Sequence, residues 1–69
     1  MDDHFSESNL DQDFVVKTKE ASKVVGLHPQ TMRRLEAVGE FPKRIVLSPR
    51  QYGYVYGELI VWRESRRAQ

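Results

Sequence analysis

Residues Thr18–Gly39, TKEASKVVGLHPQTMRRLEAVG, decide how the whole chain is read. They predict two short helices joined by a tight turn. Thr18 is a good N-cap, because its hydroxyl can accept from a backbone N–H that the first helical turn leaves unpaired. Ala21, Val24 and Val25 follow at i, i+3 and i+4, one apolar stripe with Lys19, Glu20 and Lys23 off it. Gly26 stops this helix, since glycine takes the left-handed C-terminal conformation without strain. Leu27 plugs the corner. Pro29, just after His28, opens the second helix with φ preset and no N–H to satisfy.

At about 100° per residue, Met32 and Leu35 of the second helix point one way. Gln30, Arg33, Arg34 and Ala37 point the other way, and none of them is acidic. A helix with an apolar inner face and a Gln/Arg outer face suits the DNA major groove, which admits one helix. There Arg can fork onto guanine and Gln onto adenine. Helix, glycine turn and helix in this pattern form the helix-turn-helix signature.

Outward from this stretch, composition sets the frame. The 69 residues make one small domain, with no cysteine and so neither a disulfide framework nor a thiolate metal site. No apolar run approaches the roughly 18 residues of a membrane span, and the acidic N-terminus does not read as a signal peptide, so a cytoplasmic chain is expected. The net charge of +1 hides an asymmetry. Residues 1–13 hold Asp2, Asp3, Glu7, Asp11 and Asp13 and no Lys or Arg. The rest carries all 11 Lys and Arg against Glu20, Glu36, Glu40, Glu58 and Glu64, a balance of +6. A basic body with an acidic tail points to a polyanionic partner; an ordinary solvated surface is the plain alternative.

On the N-terminal side, residues 1–13 contain only Phe5 and Leu10 as isolated large apolar residues, and are expected to be disordered. The domain then spans 14–69. Phe14-Val15-Val16-Lys17 is a short β-like run, with Phe14 and Val15 expected to close the bottom of the core. On the C-terminal side, Pro42 bars helix continuation. Lys43-Arg44-Ile45-Val46-Leu47 reads as a strand, Ser48-Pro49-Arg50-Gln51 as a type I turn, and Tyr52-Gly53-Tyr54-Val55-Tyr56 as a returning strand. This hairpin is either a wing, with Lys43, Arg44 and Arg50 meeting phosphates, or a purely structural cover for the helices. From Gly57 to Gln69, Leu59 and Trp62 at i, i+3 suit a helix. Leu59-Ile60-Val61-Trp62 also suits a strand, with a type II′ turn over Tyr56–Leu59, and local propensity leaves both open.

With these motifs in hand, residues 14 to about 67 resemble the AlpA family of small phage-type regulators, related to MerR-like winged helix-turn-helix proteins and phage excisionases. The resemblance rests on Val25-Gly26-Leu27-His28-Pro29-Gln30-Thr31 with Met32-Arg33-Arg34-Leu35, and on Gly39-Glu40-Phe41-Pro42-Lys43-Arg44-Ile45-Val46-Leu47. Tyr54 and Trp62 complete it. His28 stands where the family usually has Ser, and is expected to be a poorer cap; Tyr54 stands where it usually has Trp. The resemblance implies an α+β winged helix-turn-helix, with two short helices, a β-hairpin wing and a C-terminal helix over 57–67. It also implies sequence-specific binding of double-stranded DNA, by a transcriptional regulator of mobile-element genes or by a directionality factor that assists an integrase.

The candidate contacts follow from the helix wheel and the hairpin. Gln30, Arg33 and Arg34 are first for the groove, with a solvated helix face as the alternative. Thr31 lies nearer the core edge, and its hydroxyl serves either the helix start or DNA. His28 and Lys19 are candidates for phosphate, and Lys43, Arg44, Arg50 and Gln51 complete the set on the wing. Met32, Leu35, Phe41, Ile45, Leu47, Leu59 and Trp62 are expected in the core. No enzyme signature, cofactor motif or two-His metal spacing is present, and His4 and His28 do not make a site. The rival from another class is an adaptor or anti-repressor gripping an acidic protein. One copy of so small a domain offers few base contacts. Copies cooperating on neighbouring repeats, or a partner such as an integrase or RNA polymerase, would add affinity.

Overall fold

The computed structural model describes residues 14–68, so the expectation of a disordered tail over 1–13 lies outside it. Three helices and three strands follow in the order β1 (Val15–Lys17), α1 (Thr18–Val25), α2 (Pro29–Ala37), β2 (Ile45–Ser48), β3 (Gln51–Val55) and α3 (Tyr56–Ser65). The architecture is the small α+β winged helix-turn-helix, with one addition. The β-like run at the N-terminal end is not a mere lead-in. It pairs antiparallel with β3 in the order β1-β3-β2, so the wing strand becomes the centre of a three-stranded sheet.

Registration explains which residues face inward. Val16 opposes Tyr54 and Lys17 opposes Gly53, while Ile45 opposes Gly53 on the other side. Directly opposed residues of an antiparallel pair share a face. Tyr54 is 1% exposed and sits in the core with Ala21, Met32, Phe41 and Leu59, and Val16 packs beside it. The other face therefore points outward. That corrects three core assignments, Val15, Ile45 and Leu47; Phe14, on the Val16 side but ahead of β1, is a fourth and is 44% exposed. Phe14 stacks on Tyr56 at 5.0 Å instead. Val15 and Leu47 close over Gly53. A Cβ there would meet Val15 Cγ1 at 2.6 Å, Val16 O at 2.9 Å and Leu47 Cδ1 at 3.1 Å. Glycine is required because the flanking strands' side chains occupy its place.

The helix-turn-helix turn forms as its glycine demands. Gly26 has φ 74°, and its N–H donates to Ser22 O at 2.8 Å. The Ser22 hydroxyl donates to Leu27 O and holds the corner closed. Thr18 is not the N-cap, however. Lys17 occupies that position without a side-chain cap, and the Thr18 hydroxyl donates to Tyr52 O at 3.4 Å. The β1–β3 pairing draws the chain into extended geometry through Lys17, which moves the cap back by one residue.

Tyr56–Ser65 is helical, beginning directly at the end of β3 and leaving no hairpin turn at Tyr56–Leu59. Leu59 is fully buried, and Trp62 packs edge-on to Phe41 at 4.8 Å, with Phe41 in turn edge-on to Tyr54 at 5.5 Å. Aromatic triplets of this kind bury much area and fix their geometry. The Trp62 indole N–H donates to Glu40 O at 2.8 Å, and Arg63 Nη1 donates to Val24 O at 2.9 Å. Helix α3 thus ties down both the end of α1 and the loop that follows α2. Among the described residues no helix is long and apolar enough to cross a membrane.

Candidate nucleic-acid interface

Helix α2 presents the face that its spacing dictates. Met32 is fully buried and Leu35 half-buried, while Gln30, Arg33, Arg34 and Ala37 are exposed. The start of the helix corrects the reading of His28. The ring is the N-cap, and its Nδ1 accepts from the Gln30 N–H at 3.1 Å, the role usually taken by Ser or Asp. With Nδ1 accepting, Nε2 carries the proton of the neutral ring and remains a donor on an exposed side chain. Thr31 is half-buried, and its N–H donates to His28 O at 2.9 Å.

Three separate elements meet beside this helix. Lys17, Thr18 and Lys19 from the β1–α1 junction, Arg33 from α2, and Arg50, Gln51 and Tyr52 from the wing tip line one open cleft of roughly 300 Å³. Four of the seven lining residues are cations and none is acidic, so the local field favours an anion. Among the described residues, Lys17, Lys19, Arg33, Arg34 and Arg50 take part in no ion pair. Lys17 was not among the sequence candidates. Its outward direction depends on the β1–β3 register, a non-local pairing that the residues around it do not reveal.

Lys43 and Arg44 are not brought to this cleft. They lie at the base of the wing, in a larger open groove lined by Pro42, Ile45, Val55, Glu58, Val61 and Trp62. That groove is mainly apolar, whereas the smaller cleft gathers the charge. The charge pattern, not the size, marks the candidate site. Arg44 is also engaged within the protein. Its N–H donates to Glu36 Oε2 at 3.2 Å, its Nη1 lies 3.9 Å from Glu36 Oε1, and its guanidinium covers the Tyr52 ring at 4.5 Å. Beneath this group Tyr54 is raised above its ordinary pKa of 10.0, first by burial and then by the Glu36 charge, with Arg44 and Arg33 opposing. Among the described residues no three His, Asp or Glu side chains gather to hold a metal ion.

The model of the family described as "Prophage CP4-57 regulatory protein (AlpA)" matches residues 15–67, from the start of β1 to just beyond α3. No curated protein and no solved structure matches the chain.

Proposed function

Since the chain belongs to the AlpA family of prophage regulatory proteins, we propose that it binds double-stranded DNA sequence-specifically and so regulates transcription of mobile-element genes. Helix α2 enters the major groove with Gln30, Arg33 and Arg34 toward the base edges. A helix of 9 residues is about 13 Å long, enough to lie along a groove about 12 Å wide. Lys17, Lys19, Arg50 and Gln51 meet the flanking phosphates, and His28 Nε2 adds a donor at the helix start. Thr31 serves chiefly the helix start. Lys43 lies outside the cleft and adds at most a peripheral charge.

The observation that carries this reading is the cleft itself. Cations from the β1–α1 junction, the second helix and the wing tip line it together, and no acidic residue does. A single copy supplies few base contacts, so two or more copies acting on adjacent repeats complete the site.

Selection of binding sites from a random duplex library tests the reading, with the selected pool then titrated against salt. A convergent sequence is expected, together with affinity that falls steeply and linearly on logarithmic axes. Weak, salt-insensitive binding with no enriched sequence would overturn it and favour an acidic protein partner.

A further inference from the structure

Glu36 points away from the exposed face of α2 and reaches the wing. It is the one acidic side chain that the second helix directs at the hairpin, and it holds Arg44 twice, through the backbone N–H at 3.2 Å and the guanidinium at 3.9 Å. Only the first of these is a hydrogen bond. Oε1 is buried and accepts none, so its charge is balanced by Arg44 across a gap too long for one. Removing either partner would leave the other poorly compensated in a partly dry site. The guanidinium in turn lies on the Tyr52 ring at 4.5 Å, and Tyr52 lines the basic cleft. A continuous chain of contacts therefore runs from α2 through Glu36, Arg44 and Tyr52 to the wing.

We infer that Glu36 and Arg44 form a strut that sets the angle between the recognition helix and the wing, and that Arg44 is a positioning residue rather than a phosphate contact. The inference rests on the DNA-binding reading for its consequence, but not for its geometry. An arginine held by a carboxylate within its own chain has its charge already balanced, and adds little to counterion release when DNA arrives. What it contributes is registration. With the strut intact, Arg33 and Arg50 face their targets together, and specific affinity benefits from both. Without it β2 and the wing tip shift relative to α2, while β3 stays anchored by β1 and Tyr54, and the two sets of contacts are made at each other's expense.

Two readouts on the full chain decide the matter. Residual dipolar couplings of isotope-labelled protein without DNA report the orientation of the wing. In E36A and R44A the couplings of α2, α3 and β3 are expected to fit one alignment that β2 and the wing tip no longer share. A wing that stays in that alignment in both variants would overturn the strut. The second readout is affinity for the selected site and for random duplex across a salt series, in E36A, R44A and the double variant. Each single change is expected to weaken specific binding roughly fivefold to tenfold, and the double no further, because coupled residues do not add. Random-duplex affinity and the salt slope should hardly move. Tighter binding by E36A, with R44A weakening both duplexes and lowering the slope by about 1, would make Arg44 a phosphate contact and overturn the proposal. If E36A fails to fold, R44A carries both readouts, since it removes the guanidinium and leaves the Glu36 bond to the backbone N–H in place. Failure of the wild-type chain to bind any duplex would refute the DNA reading, and the couplings alone would then decide the strut.

Discussion

The arginines on the two sides of this molecule have opposite fates. On the α3 side they are occupied by their own chain. Arg63 donates to Val24 O, Arg66 donates to Glu40 O and covers the Trp62 ring at 4.8 Å, and Arg67 forms a paired set of bonds with Glu64. On the cleft side Arg33, Arg34 and Arg50 are exposed and take part in no ion pair among the described residues. Net charge alone does not make this distinction. A side chain satisfied inside the protein contributes to folding, whereas an exposed unpaired one keeps its field for a partner. Among the described residues, the charge left outside intrachain contacts is therefore smaller than the composition suggests, and it is concentrated at the cleft.

The comparison can be broken from the α3 side first. Trp62→Ala removes the edge contact with Phe41 and the bond to Glu40 O. It should cost about 3 kcal/mol, the low end for a large aromatic because the ring is only partly buried. Denaturant unfolding measures it. Arg33→Ala on the opposite side should leave unfolding within about 0.5 kcal/mol of wild type, yet cost roughly 1–3 kcal/mol of specific binding and relax preference at one base pair. Equal losses of stability in these two variants would erase the difference between the sides. Arg63→Ala should lower stability by about 1 kcal/mol through its bond to Val24 O, with an unchanged salt slope for DNA. Arg50→Ala should weaken all duplexes alike and reduce that slope by about 1, a small effect at any single salt concentration.

A fifth expectation concerns the boundary between the two sides, and it vanishes at neutral pH. Tyr54 has its pKa raised in the folded protein by burial and then by Glu36, so the neutral phenol is favoured there. Its contribution to stability is complete below the unfolded value near 10 and is lost as pH rises through the higher folded value. Ultraviolet titration should show Tyr54 ionising above the ordinary phenol range, together with unfolding. A Tyr54 step in the ordinary phenol range, identified by its loss in Tyr54→Phe, would contradict the burial.

The helix-turn-helix was legible because its signals are local. Gly26, Pro29 and the spacing of Met32 and Leu35 each specify their own backbone or face, and the structure follows them. The hairpin tip was equally local, with Pro49 and Arg50 turning between Ser48 and Gln51. The misreadings share a different cause. Which of Phe14, Val15, Val16 and Lys17 faces inward depends on pairing with residues some forty positions away. The same register shifts the α1 cap from Thr18 to Lys17 and brings Lys17 into the cleft, while the hairpin pairing of Ile45 with Gly53 sends Ile45 and Leu47 outward. His28 was undervalued because a ring nitrogen caps a helix only in a rotamer that the sequence does not specify. The bond between Arg44 and Glu36 was not legible, because the partner lies eight residues back on a different element.

Mapping amide chemical shifts during titration with a selected duplex tests the central claim most directly. The account predicts perturbations concentrated at the start of α2, along Gln30–Arg34, at Lys17–Lys19 and at the wing tip, with Glu58–Ser65 of α3 unmoved. Perturbations centred on α3 and the apolar groove beside it, with α2 silent, would contradict the account.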